Sequence, residues 1–336
     1  MIRSILMMIC VVLLVADARA GGVSDLKAAN AAVEKGSSDE AIQLFTQALA
    51  SGELSADDQF KAREGRGREY SAKSLIADAF DRRDDGRRLR ENAIADFSAT
   101  LGLRPDDVNA LLDRGQAYHL NQQFDLAVAD FSAVLSRNKS AAVLLQRAAS
   151  QRAKGAYDEA IADCTAALAG DMSDARIDAW DVHGERGSAE FLAGRFDAAA
   201  ADFDKSISLG AESRKDDVLW LPYQMAWLHI SHARAGRTGA QELANLAAGI
   251  NLTQWPGTLI SFFLGQTKFE DVSTASNHGA MGRSRECNLS LFAGEDALAK
   301  GSIEKARTLI LRASEVCNLH TLQYVVANAE LGRLKK

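Results

Sequence analysis

Apolar and polar positions alternate with helical spacing through FDLAVADF, residues 124–131, and the phrase returns as YDEAIADC at 157–164 and FDAAAADF at 196–203. A shorter echo, AIADF, stands at 93–97. Aligned on their common alanine, Ala93, Ala127, Ala160 and Ala199 fall 34, 33 and 39 residues apart. Four residues beyond each stands Phe97, Phe131, Cys164 or Phe203, and twelve before the last three stand Gly115, Ala148 and Gly187. The pattern predicts antiparallel helix pairs, with small residues where the two helices approach and a bulky one filling the groove beside them. No single pair can bury such a face alone, so several must stack.

The phrase extends in both directions. SSDEAIQLFTQAL places Ala41, Phe45 and Ala48 at the same offsets, with Gly36 at the turn between helices, and GEDALAKGSIEKARTLILRA does so with Gly294, Ala306, Ile310 and Ala313. Gly155, Gly194 and Gly301 occupy the equivalent turn, which favours a residue tolerating positive φ. A small residue, a second one twelve later, a bulky one at +4 and a period near 34 resemble the tetratricopeptide repeat. The resemblance implies an all-α fold, an α-solenoid of stacked helix pairs in a right-handed superhelix, with five clear units and two degraded ones. WLHISHARAGRTGAQELANLA fits only with a one-residue slip at Ala240, Ala244 and Ala247.

Two places break the rhythm. Near 71–91 the second unit carries a charged surplus, KSLIADAFDRRDDGRRLRE, in which Asp78–Arg82 and Asp84–Arg88 stand at i,i+4 spacing and are expected to pair on an exposed helix. It reads either as longer helices projecting from the stack or as a hairpin gripping a partner. At 253–272 Trp255-Pro256-Gly257 suits a turn into a short apolar helix. The expected organisation is a repeat array over 21–250 and a C-terminal connector with a capping repeat over 251–336.

Composition narrows the class. Only 3 prolines and 7% aromatics in 336 residues favour helix over sheet, and a net charge of −6 argues against a nucleic-acid partner. The first twenty residues hold Arg3, an apolar run from Ile5 to Ala16, and Ala18 and Ala20 at an A-x-A site, which predicts a cleaved secretory signal and a mature chain from Gly21 with no membrane span. Cys10 lies inside that run without the small residues that precede a lipidated cysteine. No catalytic constellation stands out. Ser302 and Lys305 fit S-x-x-K at a helix start, where a serine caps. His229 and His232 share a helical face without a carboxylate at metal-ligand spacing. Gly65-Arg66-Gly67-Arg68 follows no strand and is no phosphate loop, and the Asn-x-Ser/Thr triplets at 138, 251 and 288 need a eukaryotic secretory route to matter. The expectation is a non-enzyme without cofactor or metal.

From Trp255 onward a Trp-Pro turn, an apolar FFLG helix, a polar loop, a repeat-like pair and a closing YVVANAELGRL helix follow one another. This order resembles the C-terminal part of the new-lipoprotein-I-like periplasmic proteins. The resemblance implies an adaptor without catalysis of its own, scaffolding cell-wall hydrolases or a protease in the envelope; the lipid-attachment cysteine of that family is missing. Cys287 near the start of one helix and Cys317 just past the end of the next would be neighbours in an antiparallel hairpin, and export permits a disulfide between them, with two buried thiols as the alternative. Cys164 stands in a packing slot and reads as a buried thiol.

What remains is the surface that the first helices of successive units present on the concave side of a solenoid. Repeat offsets place Lys61, Glu64 and Arg68 there in the second unit, and Asn109, Leu112, Gln116 and His119 in the third. Leu145, Ala149 and Arg152 follow in the fourth, and Asp181, Ser188 and Phe191 in the fifth. This reads as two basic ends around a polar and apolar floor poor in aromatics, suited to an extended protein segment with acidic and apolar side chains. A non-protein envelope component, such as a glycan or lipid-linked precursor, is the alternative ligand; whether the array forms a homodimer stays open.

Overall fold

The small-then-bulky spacing becomes a set of interhelical contacts. The computed structural model describes residues 21–170, 177–213, 220–276 and 282–335, which form helices and no strand. The expected signal segment and Cys10 lie outside the described residues. The chain divides into two units, one ending at Arg137 and one beginning at Asn138.

The first unit holds α1 (Gly22–Glu34), α2 (Ser38–Ala50), α3 (Ala56–Ala79), α4 (Arg83–Leu103), α5 (Val108–Leu120) and α6 (Phe124–Leu135), packed as consecutive pairs. Ala41, Phe45, Ala93, Phe97, Gly115, Ala127 and Phe131 are all buried. The glycines are where a side chain has no room. A Cβ on Gly67 would lie 2.7 Å from the Phe97 ring, and one on Gly115 2.8 Å from the Phe131 ring. Each ring therefore rests directly on the backbone of the facing helix, and an alanine there would force the ring aside.

The second unit holds α7 (Ala141–Ala153), α8 (Tyr157–Ala169), α9 (Ala179–Leu192), α10 (Phe196–Ser213), α11 (Trp220–Arg234), α12 (Ala240–Leu246), α13 (Gly257–Phe263), α14 (Phe269–Ser276), α15 (Gly282–Ala299), α16 (Ile303–Val316) and α17 (Leu322–Leu334). Ala160, Cys164, Gly187, Ala199, Phe203, Gly294 and Ala306 are buried. In the α7–α8 pair Ala148 stands where other repeats have glycine, and the facing bulky residue shrinks to Cys164; both sit fully buried in one cluster. Residues on both sides of position 250 share a core, centred on Trp227, which stacks on Phe203 at 6.0 Å and meets Phe292 edge-on at 4.9 Å. Cys287 and Cys317 are joined by a disulfide with their Cα atoms 4.8 Å apart, linking α15 to the residue that ends α16.

Between paired helices the backbone turns through one left-handed residue, five positions before the repeat alanine. It is Gly155 (φ 89°) and Gly194 (φ 78°) in two repeats, but Gln122 (φ 60°) in the third, where a Cβ makes the conformation costly. In the elongated second repeat it is Asp81 (φ 57°), twelve positions before Ala93, and this changes the expected ion pairs: α3 ends before it, so Asp78 and Arg82 no longer share a helix. Asp78 instead turns inward to Arg90 at 2.5 Å, and Asp84 pairs with Arg87 and Asp85 with Arg88 at i,i+3.

A second recurring contact joins four of the pairs, α3–α4, α5–α6, α7–α8 and α9–α10. In these four an arginine precedes the small residue of the first helix, and an aspartate precedes the bulky residue of the second. Arg114 donates Nε to Asp130 Oδ2 and Nη2 to Oδ1, both at 2.8 Å. Arg147 does the same with Asp163, and Arg186 with Asp202, each 16 residues apart. In the elongated repeat Arg66 meets Asp96 across 30 residues. The third nitrogen, Nη1, reaches back to the preceding repeat: Arg66 to Thr46 at 3.0 Å, Arg114 to Ser98 at 3.4 Å, Arg186 to Thr165 at 3.2 Å. The planar guanidinium thus fixes the spacing within a pair and the register to its neighbour.

In the second unit Arg234 of α11 sits 4.6 Å from the Phe196 ring centroid and ion-pairs with Glu295 of α15 and Glu330 of α17. Burial pushes the Glu295 carboxyl up to about 8, with Glu330 adding to the rise and Arg234 opposing it. Its contribution to stability is therefore complete below the ordinary carboxylate value and is lost as pH rises from 4.5 toward 8.

Two outcomes are expected. Arg114→Ala costs about 2 kcal/mol in urea unfolding, and the Arg114→Ala/Asp130→Ala double variant costs clearly less than the sum of the singles; additive losses contradict the pairing. Glu295→Gln flattens the fall in melting temperature between pH 4.5 and 8, whereas an unchanged slope assigns that fall to other groups.

Candidate functional site

The expected groove residues separate into two sets, each described within its own unit. In the first unit Lys61, Arg68, Asn109 and Gln116 are exposed, and Glu64, Leu112 and His119 half-buried. Arg68 is not a free cation: it donates to Asp113 Oδ2 and to Glu64 Oε1, both at 2.8 Å, and so ties α3 to α5. Lys61 pairs with Asp57 one turn earlier. Burial raises the Glu64 carboxyl, and Arg68 opposes the shift.

In the second unit the first helices of successive pairs, α7, α9 and α11, enclose a cleft of about 400 Å3. Leu145, Ala149, Trp180, Phe203, Trp227 and Leu322 supply its apolar lining, and Gln146, Asp181, Glu185, Ser188 and Gln224 the polar one, with Gly184 opening the wall between them. Leu145, Asp181 and Ser188 thus meet at one place. Gln224 carries a buried Oε1 with no hydrogen-bond partner, an acceptor facing the α9 backbone across Gly184.

Three expectations are corrected. Phe191 does not face a partner; it is fully buried and meets Trp227 edge-on at 5.4 Å, because its position on α9 points into the core. Arg152 is not a basic end either: it is buried and held by both oxygens of Glu185, a lining residue that takes up its charge. With Arg68 also neutralised, neither arginine is free to receive the acidic side chains expected of a ligand. The cleft lining is also not poor in aromatics, since Trp180, Phe203 and Trp227 all contribute. Trp180 and Trp227 escaped the offset argument, which follows surface positions and ignores rings whose edges reach the surface from within. The Arg-Asp couples were equally missed, although the repeated Arg-Gly and Ala-Asp-Phe dipeptides carry their signal.

Other candidate chemistry stays dispersed. Burial pushes the His229 imidazole down to about 4, so it is neutral against Phe263, while His232 Nδ1 lies 3.3 Å from Glu242. No cluster of metal-ligating side chains occurs among the described residues. Ser302 and Lys305 are both exposed at the start of α16. Asn288 is buried and its Oδ1 accepts from Gln323, which removes it as a glycan acceptor in the folded chain. Burial also raises the Cys164 thiol far above its ordinary range, suppressing the thiolate.

Comparison with known proteins fits this architecture. Residues 78–142 and 120–175 match the tetratricopeptide repeat family, so the chain carries tetratricopeptide repeats there. No curated protein matches the sequence. A crystal structure of a tetratricopeptide repeat protein from Parabacteroides merdae is similar over 94% of this chain and 99% of that one, at 15% identity and a TM-score of 0.56. The C-terminal part of a repeat-containing protein from Cytophaga hutchinsonii aligns over 87% of this chain and 95% of its own at 13% identity and 0.48. MamA (41-end) from Desulfovibrio magneticus RS-1 covers 57% of this chain and 96% of its own at 15% identity and 0.46. At this identity the likeness to the Parabacteroides merdae protein concerns the fold alone, which is an all-helical stacking of tetratricopeptide-like pairs. Proteins of this fold generally mediate protein–protein interactions and are typically non-catalytic scaffolds.

With the thiol chemistry so arranged, a thiol reagent leaves Cys164 unmodified in the folded, unreduced protein. After unfolding without reductant it modifies Cys164 alone among Cys164, Cys287 and Cys317; reaction of all three contradicts the disulfide.

Proposed function

We propose that this protein is an exported, non-catalytic adaptor that holds extended segments of partner proteins in the cleft between α7, α9 and α11. The cleft itself carries the reading: an aromatic floor set among polar groups, one of them an unsatisfied buried acceptor, at the place where a repeat stack presents its first helices. Trp180 and Trp227 favour an apolar or aromatic side chain at the floor, and Gln224 an N–H donor from the ligand backbone.

Export is supported by the N-terminal pattern of a basic residue, an apolar run and an A-x-A site, and by the Cys287–Cys317 disulfide, which suits an oxidising compartment. No helix among the described residues is long and apolar enough to cross a membrane. The C-terminal resemblance to periplasmic adaptors makes envelope hydrolases or a protease the partners to seek first. The polar lining of Gln146, Asp181, Glu185, Ser188 and Gln224 also supports a second reading, a glycan hydrogen-bonded in the cleft.

The test is capture from native envelope extract on the immobilised protein, beside an Ala149→Trp variant that fills the cleft and an Arg68→Glu variant altered outside it. Retention of defined proteins by wild type and Arg68→Glu, with at least a tenfold drop for Ala149→Trp, is the expected result. Equal retention by all three contradicts a cleft-bound segment; retention of glycan in place of protein establishes the second reading.

A further inference from the structure

One arginine of the second unit stands outside the pairing that occupies the others. Among the described residues every other buried or half-buried arginine ion-pairs or donates a hydrogen bond, as Arg147, Arg186, Arg234 and Arg307 do. Arg285 of α15 is half-buried with its Nε shut away from solvent, and it has neither an ion pair nor a hydrogen-bond acceptor among the described residues. The carboxylate next to it in the chain, Glu286, is taken by Arg312, whose Nε lies 2.7 Å from Glu286 Oε1. A guanidinium nitrogen buried without an acceptor costs stability, so packing alone does not explain Arg285.

The helix register carries Arg285 toward a tyrosine whose proton is also unused. Trp227 of α11 meets Phe292 of α15 edge-on at 4.9 Å, and further along both helices Arg234 reaches Glu295, so the two run in the same direction. Tyr223 lies one turn before Trp227 and Arg285 two turns before Phe292, each on the face it shares with that ring. The Tyr223 hydroxyl oxygen accepts from Trp255 Nε1 at 3.0 Å, and its own proton is donated to no described residue. Burial raises the Tyr223 hydroxyl, with the Trp255 hydrogen bond and the Arg285 charge opposing, so the group keeps its proton and stays a donor. The rings of Tyr223 and Trp255, edge-on at 6.5 Å and both half-buried, set an apolar wall beside the hydroxyl.

We propose that Arg285 and Tyr223 bind a carboxylate borne on an apolar group, the group resting against Trp255. The guanidinium fork takes the two carboxylate oxygens and the Tyr223 hydroxyl donates to one of them, which gives both unused donors an acceptor. One cation and one neutral hydroxyl balance a singly charged anion, whereas a phosphate dianion would keep half its charge unpaired. None of the three residues lines the cleft between α7, α9 and α11, and the site needs no partner segment to form.

Benzoate is the probe, titrated into the purified protein isotope-labelled at its tryptophan indoles. The Trp255 indole N–H, identified by its loss in Trp255→Phe, is expected to shift downfield and saturate, because a Tyr223 hydroxyl that donates to a carboxylate becomes a better acceptor. The dissociation constant is expected on the order of 1 mM. Benzamide, neutral and of the same shape, and inorganic phosphate are expected to leave the signal in place. Arg285→Gln weakens benzoate binding about tenfold and Arg285→Lys, which keeps the charge without the fork, about threefold, while the Trp180, Trp220 and Trp227 signals stay where they were. The absence of a benzoate shift, an equal shift with benzamide, or undiminished affinity in Arg285→Gln overturns the proposal. A shift with phosphate and none with benzoate overturns the assignment to a carboxylate.

Discussion

The fold depends on one constraint: facing helices approach closely enough for a bulky side chain to lie on bare backbone. Gly67 under Phe97 and Gly115 under Phe131 leave no space for a Cβ, and Gly294 stands 2.6 Å, measured from an added Cβ, from Ile310. Close packing of this kind gains dispersion contacts on both sides of the ring and loses them steeply with any gap. It also explains the α7–α8 exception, where an alanine appears in place of glycine and the ring is exchanged for the Cys164 side chain. Size is conserved across the contact even where residue type is not.

The constraint sets a distance but not a register, since a ring can slide along a groove. The arginine couples supply the register. Each is bidentate, mostly shielded, and spans first and second helix, and in three of the four the remaining nitrogen reaches the serine or threonine of the repeat before. Such a contact fails if either helix moves by one residue, whereas burial alone tolerates the shift. The packing residues and the arginine–aspartate couples lie on the buried faces, which leaves the outer positions of the first helices free to vary. In the second unit those positions open into the cleft at Gly184, where the wall lacks a side chain.

How much of this was legible in the sequence follows from the range of each interaction. Ala41, Phe45, Ala127 and Phe131 were readable because helix periodicity and a fixed repeat length place them without tertiary knowledge. The cleft was only partly readable. Leu145, Asp181 and Ser188 lie at surface offsets and meet in the lining, whereas Phe191 follows the same arithmetic and lies in the core. Arg152 and Arg68 look like free cations in a one-dimensional text, and only the fold brings Glu185 and Asp113 beside them. The expected Asp78–Arg82 pair fails for a local reason. Asp81 takes a left-handed turn that ends α3, and helix spacing loses its meaning across it.

The proposed binding place for a partner segment is the cleft between α7, α9 and α11. The most direct measurement is amide hydrogen exchange on the purified protein, alone and saturated with a captured partner. The account predicts slowed exchange at the surface-facing turns of α7, α9 and α11, around Ala149, Gly184 and Gln224, with the disulfide-linked α15 and α16 unchanged. Protection confined to the first unit, or none along α9, would contradict it.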